Sequence, residues 1–174
     1  MIIKNFNYKC VNSTNDIAIN LIKKKNVKIG FVFTEKQKKG RGQRGKKWIS
    51  YKGNLFMSIF FEINTTTSLK NITFKNCEII RKSIQKFTKN KIKIKPPNDL
   101  LINKKKICGI LQETFFKDKK KFIVVGIGLN LVKSPKIKKY PTNYLNKYTS
   151  KKVSKLMLFR SIKYLYEKKI NYLI

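Results

Sequence analysis

The chain is predicted to fold as α+β, a mixed, mostly antiparallel sheet with helices on one face. Three observations predict it. Apolar runs of strand length outnumber helical stretches, the later ones follow one another across tight polar turns, and only three segments carry apolar residues at helical spacing.

Each element has its own local reason. Residues 2 to 9 (IIKNFNYK) alternate apolar and polar in strand fashion. Ser13-Thr14-Asn15-Asp16 then supplies N-cap chemistry ahead of Ile17, Leu21 and Ile22, giving a helix to about Lys25. Residues 29 to 34 (IGFVFT) are β-branched and aromatic, hence a buried strand. Glu35 to Lys52 holds almost no apolar residue besides Trp48, Ile49 and Tyr51 and reads as a long mobile loop. Residues 54 to 63 (NLFMSIFFEI) form the most apolar strand, and residues 68 to 87 are helically spaced through Leu69, Phe74, Ile79, Ile80, Ile84 and Phe87.

Strands follow over about 91 to 94, 99 to 103, 106 to 116 and 121 to 131, with turns at Asn103-Lys104 and at Lys117 to Lys120. A connection with Pro135 and Pro141 leads to a last helix over about 153 to 171, with Leu156, Phe159, Ile162, Leu165 and Ile170 toward the core. Neither an internal repeat nor a Pro/Gly/Ser linker divides the chain, so residues 1 to 174 are expected to form a single domain.

Composition narrows the function. The chain has 174 residues, 42 Lys+Arg against 8 Asp+Glu, a formal charge of +34 and no histidine. A Ser-His-Asp triad, a Cys-His dyad and a His-ligated metal are therefore excluded, and catalysis must rest on Lys, Arg, the few acids or backbone groups. The charge suggests nucleic acid, but only Arg41, Arg44, Arg81 and Arg160 are arginines, and base and phosphate readers lean on that planar fork. Abundant Lys, Ile and Asn with a single alanine, Ala18, points instead to drift toward A/T-rich codons. Cys10, Cys77 and Cys108 are widely spaced and odd in number, and are expected to be buried free thiols in a reducing compartment. With neither a membrane-length apolar run nor a signal-peptide pattern, a cytoplasmic location is expected.

Three stretches could carry chemistry. Gln37 introduces Gly40-Arg41-Gly42-Gln43-Arg44-Gly45-Lys46-Lys47-Trp48, where glycines let backbone N–H groups approach an anion and Arg41 and Arg44 can neutralise it bidentately. The pattern is neither a Walker A loop nor a dinucleotide-binding turn. Lys95-Pro96-Pro97-Asn98-Asp99 is the second: two prolines impose an extended approach, Asn98 and Asp99 stand at a strand start, and Asp99 is a candidate Mg²⁺ ligand. Lys106, seven residues on and followed by Gly109, could reach a phosphate. Gly126-Ile127-Gly128-Leu129-Asn130 is the third, a place for close ligand approach or a β-bulge.

In this order and spacing, Ser13-Thr14-Asn15, QxxGRGxRGxxW (Gln37 to Trp48), KxPND (Lys95 to Asp99), KxxG (Lys106 to Gly109) and GxGxN (Gly126 to Asn130) resemble the catalytic domain of biotin protein ligases. The resemblance spans roughly residues 5 to 170 and implies the fold of biotin/lipoate protein ligase catalytic domains. It also implies attachment of biotin to a lysine of a biotin carboxyl carrier protein, a subunit of acetyl-CoA carboxylase, through biotinyl-5′-AMP. ATP with Mg²⁺ and biotin would be substrates, with no tightly bound prosthetic group. Lys106 and Arg41 would be catalytic. Ser13, Thr14, Asn15, Gln37, Arg41, Gly42, Gln43, Arg44, Trp48, Lys106 and Gly109 would bind substrate, and Asn98, Asp99 and Asn130 the nucleotide.

Two positions depart from the family pattern: Gln43 stands where Arg is frequent and Pro96 where Trp is usual. The resemblance further implies a chain without the N-terminal DNA-binding domain or the C-terminal β-barrel domain of some relatives, binding no specific DNA and no membrane, as a monomer or homodimer. The alternatives are a lipoate or octanoate protein ligase of the same superfamily, whose loop usually carries histidine, and a basic nucleic-acid-binding protein.

Overall fold

Among the described residues, seven strands and three α-helices follow one another as β1 (Lys4–Val11), α1 (Thr14–Lys25), β2 (Ile29–Gln37), β3 (Leu55–Ile63), α2 (Leu69–Gln85), β4 (Ile92–Lys95), β5 (Asp99–Ile102), β6 (Lys105–Lys117), β7 (Lys120–Leu129) and α3 (Lys155–Lys169). The structure is a computed structural model that describes residues 3–173, so residue 2 of the first expected strand lies outside the described residues. All strands join one sheet in the order β1-β2-β3-β7-β6-β5-β4. Every neighbouring pair is antiparallel except β1 and β2, as the mixed, mostly antiparallel expectation requires.

The hairpins are set by their turns. Asn103 and Lys104 both take positive φ (47° and 62°), as do Asp118 and Lys119 (48° and 62°), the backbone that two-residue hairpin turns need. The parallel β1–β2 pair instead needs a crossover, which α1 supplies, capped at its far end by Asn26 in the left-handed region.

That crossover corrects the expectation of helices on one face. Ala18, Leu21 and Ile22 of α1 pack with Val32, Phe60, Phe122 and Val124, while α2 and α3 share a separate core with Met57, Ile59, Phe61, Ile123, Val125 and Ile127. Adjacent residues such as Phe60 and Phe61 point to opposite faces, so the sheet is covered by α1 on one side and by α2 and α3 on the other. A parallel neighbour within a run of hairpins leaves little trace in apolar spacing, because β1 and β2 read like any other strands.

Helix phase brings three further corrections. Leu69, Phe74 and Leu156, expected inward, are exposed at 48%, 60% and 49%. Ser154 caps α3 by accepting from the Met157 N–H, and this start turns Leu158, Phe159, Ile162 and Tyr166 to the core. In α2 the buried stripe runs through Ile72, Asn76, Ile79, Ile80 and Ser83, with Phe74 on the far side. Cys77 and Cys108 are buried free thiols as expected, whereas Cys10 is exposed. Among the described residues no helix is long and apolar enough to cross a membrane.

Candidate functional site

The α1 face of the sheet changes character along β7. Phe122 and Val124 fill the space beneath α1, and the next two residues on that face, Gly126 and Gly128, have no side chain. A Cβ on Gly126 would lie 2.3 Å from Asn15 Oδ1, and one on Gly128 would lie 2.4 Å from Trp48 Cε2. A Cβ on Gly109 of β6 would also be too close, 2.8 Å from Trp48 Cζ3. The register of β7 with both neighbours is unbroken through these glycines, so the β-bulge reading of Gly126 to Asn130 does not hold. The glycines admit the indole of Trp48 and the amide of Asn15 against bare sheet.

A bulge does occur one strand away. β6 pairs Lys106 with Leu101 but Cys108 with Leu100, which leaves Ile107 as an extra residue. Ile107 and Cys108 can thereby both enter the α2/α3 core, while Lys106 and Gly109 both face the cleft, an outcome that strict alternation forbids for residues three apart. The bulge's backbone groups are satisfied by the segment after β7. Lys106 N–H donates to Pro141 O (3.0 Å), Lys106 O accepts from Asn143 N–H (2.9 Å), and Ile107 O accepts from Asn130 N–H (2.8 Å). The Lys106 ammonium, largely enclosed, sits 2.7 Å from Asp99 Oδ1 and lies 5.5 and 5.3 Å from the ring centroids of Trp48 and Tyr140.

The stretch expected as a long mobile loop is an extension of β2 followed by a folded-back turn. β2 continues to Gln37 by pairing with Cys10 and Val11 of β1. Beyond it Arg41 bridges Lys47, Gly42 N–H donates to Lys46 O (2.7 Å) and Trp48 N–H donates to Gly40 O (2.9 Å). Gly40 has no room for a side chain, since its Cβ would meet Trp48 O at 2.6 Å.

Polar groups from four elements then interlock. Gln37 Oε1 accepts from Thr14 N–H (2.9 Å) and Oγ1 (3.2 Å), and Ser58 Oγ lies 2.8 Å from Thr14 Oγ1 and 2.6 Å from Asn15 Oδ1. Asn15 Nδ2 donates to Glu113 Oε2 (2.7 Å), and Glu113 takes both Nη atoms of Arg41 at 2.8 and 2.7 Å. Asp16 takes Arg41 Nη2 again, at 2.8 Å. Burial works against the Arg41 charge, yet the hydrogen bonds and charges of Glu113 and Asp16 outweigh it and raise the guanidinium above its ordinary pKa. Both Nη atoms are thus engaged within the protein, which corrects the expectation of a free bidentate anion clamp at Arg41. Arg44, held in the left-handed region at φ 53°, lines the cleft as expected.

The cleft measures about 360 Å³ and draws its walls from all the sequence motifs. Ser13, Thr14, Asn15, Gln37, Arg41, Gly42, Gln43, Arg44, Trp48, Asn98, Asp99, Lys106 and Gly109 all line it, as do Lys95 and Pro96. Pro96 to Asn98 form a tight hairpin turn between β4 and β5 in place of the extended approach expected of the prolines, and Asn98 Nδ2 is spent on Ile110 O (2.6 Å). Asn130 is the one expected site residue that does not line the cleft. It is buried, and its Nδ2 donates to Asn143 O (3.3 Å).

Four contributors escaped the sequence reading: Asp16, Ser58, Glu113 and Tyr140. Glu113 had a usable signal, since it shares a strand face with Gly109 and Leu111 and is one of only eight acids. As for a metal, Asp99 is already paired with Lys106, and no group of three or more Cys, Asp or Glu exists among the described residues.

A glycine-floored cleft on a mixed sheet, walled by a basic loop and by the enclosed Lys106, gathers cationic groups suited to an anionic ligand. Known proteins are similar to the chain in sequence and in fold. Residues 8–130 match the Biotin/lipoate A/B protein ligase family, and the chain belongs to that family. It is similar to the bifunctional ligase/repressor BirA of Escherichia coli (strain K12), 32% identical over 100 residues that make up 56% of this chain and 31% of that protein. The chain therefore spans about a third of the length of the curated relatives it matches. Biotin protein ligase from Aquifex aeolicus, solved with biotin and ATP, is 27% identical with a TM-score of 0.74, covering 95% of this chain and 71% of that one. The Leishmania major biotin protein ligase in complex with biotinyl-5-AMP shares the fold, at 21% identity and a TM-score of 0.80, over 99% of this chain and 77% of that one.

Proposed function

We propose that the protein attaches biotin to a lysine of a biotin carboxyl carrier domain, using MgATP and passing through biotinyl-5′-AMP. The observation that carries this reading is the convergence of five separate sequence motifs on one cleft, with relatives that bind biotin, ATP or the adenylate. In the first step a biotin carboxylate oxygen bonds to the α-phosphorus of ATP, the α–β bridging P–O bond breaks, and pyrophosphate leaves. In the second, the acceptor amine bonds to the acyl carbon, AMP leaves, and the amine sheds a proton.

Neither step needs a protein nucleophile, which suits a chain without histidine. Thr14, Asn15 and Gln37, fixed by the Thr14–Gln37 hydrogen bonds and by Ser58, would meet the biotin ring end of the ligand. Trp48 would cover it from the loop. Lys106 would neutralise the carboxylate and α-phosphate as charge develops, exchanging Asp99 for the ligand. Asp99, released, would be the one carboxylate near a phosphate-borne Mg²⁺.

Pyrophosphate release from MgATP, measured with biotin or with lipoate and followed by acceptor labelling, tests the reading. Biotin-dependent release is expected, with Lys106→Ala slower by about 100- to 1,000-fold, the range for loss of a transition-state charge stabiliser. Release with lipoate alone would assign the chain to the other branch of its family. Absence of release with either acid, together with tight, salt-sensitive binding of nucleic acid that survives Lys106→Ala, would favour the basic-protein reading.

A further inference from the structure

Glu113 is the point at which two branches of the polar network meet. Its Oε2 accepts from both Asn15 Nδ2 and Arg41 Nη2, each at 2.7 Å, while Oε1 accepts from Arg41 Nη1 at 2.8 Å. Asn15 belongs to the first turn of α1 and Arg41 to the glycine loop, so one carboxylate on β6 fastens both walls to the sheet, alongside the direct Asp16–Arg41 pair and the Thr14–Gln37 hydrogen bonds that already join helix and loop. The side chain is only 26% exposed, and an enclosed carboxylate is costly unless its lone pairs are filled, as these are.

The bonding also limits what Arg41 can do. A guanidinium has five N–H donors. Glu113 takes one from each Nη, and Asp16, at 45% the more exposed partner, forms an ion pair with Nη2. Nε–H and one Nη1–H remain, on a group whose plane and position are fixed by the Glu113 fork.

We propose that Glu113 is a positioning residue, which sets the place of Arg41 and Asn15 together so that the loop and the helix present their ligand-facing groups at a fixed separation. This rests on the ligase reading of the cleft for its kinetic consequence, but not for its structural one. Glu113 acts through Arg41 and Asn15; it is not assigned contact with substrate.

The test uses Glu113→Gln and Glu113→Asp, each alone and combined with Arg41→Ala. Hydrogen exchange at the Gly42 and Trp48 amides, which bond Lys46 O and Gly40 O, reports the loop without any ligand. Glu113→Gln should speed exchange there by about tenfold with the sheet unaltered, Glu113→Asp by less, and Glu113→Gln should add nothing once Arg41 is Ala. With biotin and MgATP, Glu113→Gln should lower kcat for pyrophosphate release by about 10- to 100-fold and move the KM for ATP by less than about threefold.

Unchanged exchange and kcat would overturn the proposal, as would additive effects of the two substitutions on exchange at the loop amides. A uniform rise in exchange across the sheet would overturn it in favour of a general stability role. A lowered KM for ATP would also overturn it, by showing that Glu113 competes with the anion for Arg41. If the wild-type protein released no pyrophosphate, the ligase reading would fall, while the exchange measurement would still decide whether Glu113 holds the loop.

Discussion

The face of the sheet that carries α1 has two halves built from the same strands with opposite results. Beneath the helix, Val32, Phe60, Phe122 and Val124 close a small core; farther along, Gly109, Gly126 and Gly128 leave bare backbone under Trp48 and Asn15. Strand direction, pairing and register are continuous from one half to the other. The site therefore arises by subtraction: where side chains are present the sheet recruits a helix, and where they are missing it admits a loop and has room for a ligand.

If this contrast is right, substitutions in the two halves should separate stability from chemistry. Phe60 is fully buried and lies 6.5 Å, centroid to centroid, from Phe6. Phe60→Ala is expected to cost about 3–5 kcal/mol of unfolding free energy in urea titration. Its effect on pyrophosphate release, measured where the variant is folded, should be slight. A stable Phe60→Ala variant that lost the reaction would erase the distinction between the halves.

The converse change is next in size. A methyl group on Gly128 would sit 2.4 Å from the Trp48 indole and push it into the cleft. Because Trp48 hangs from a loop, Gly128→Ala should cost only about 1 kcal/mol, the low end for overpacking, yet slow the reaction by about 100-fold through a misplaced wall. Parallel urea melts and single-turnover assays check this. Equal loss of stability and rate would mean that the glycines serve the fold.

The same contrast explains what could be read from the sequence. The core half was legible because an unbroken apolar run such as Phe122 to Val125 announces a strand buried on both faces. The site half was legible through its anomalies, a glycine-rich basic stretch and the Pro-Pro-Asn-Asp turn. Glu113 stayed hidden because an acid in an alternating strand looks like a solvated position. The bulge at Ile107 stayed hidden because three consecutive buried or half-buried residues are compatible with several registers. The burial of Asn130 follows from the return of the chain along Lys106, a pairing between residues 106 and 142 that no local pattern foretells.

The bulge sets up the smallest of the expected effects. Lys106 and Cys108, two residues apart, face opposite sides of the sheet, so a thiol lies directly behind the cleft lysine, in the core shared with Cys77. Burial, with the nearby charges of Asp99 and Glu78, pushes the Cys77 thiol up to about 11, and burial raises Cys108 as well. Alkylation by iodoacetamide at mildly alkaline pH should therefore label Cys10 alone in the folded protein. A Cys77 thiol that ionises at a higher pH in the folded than in the unfolded chain stabilises the fold fully below the unfolded value, and that contribution is lost as pH rises through about 11. Compared with Cys77→Ala, the wild-type protein should lose stability more steeply over this alkaline window, by on the order of 1 kcal/mol. Matching slopes, or ready labelling of Cys77, would show that the sheet is not sealed on the side away from the cleft, and that the openness of the glycine half extends through it.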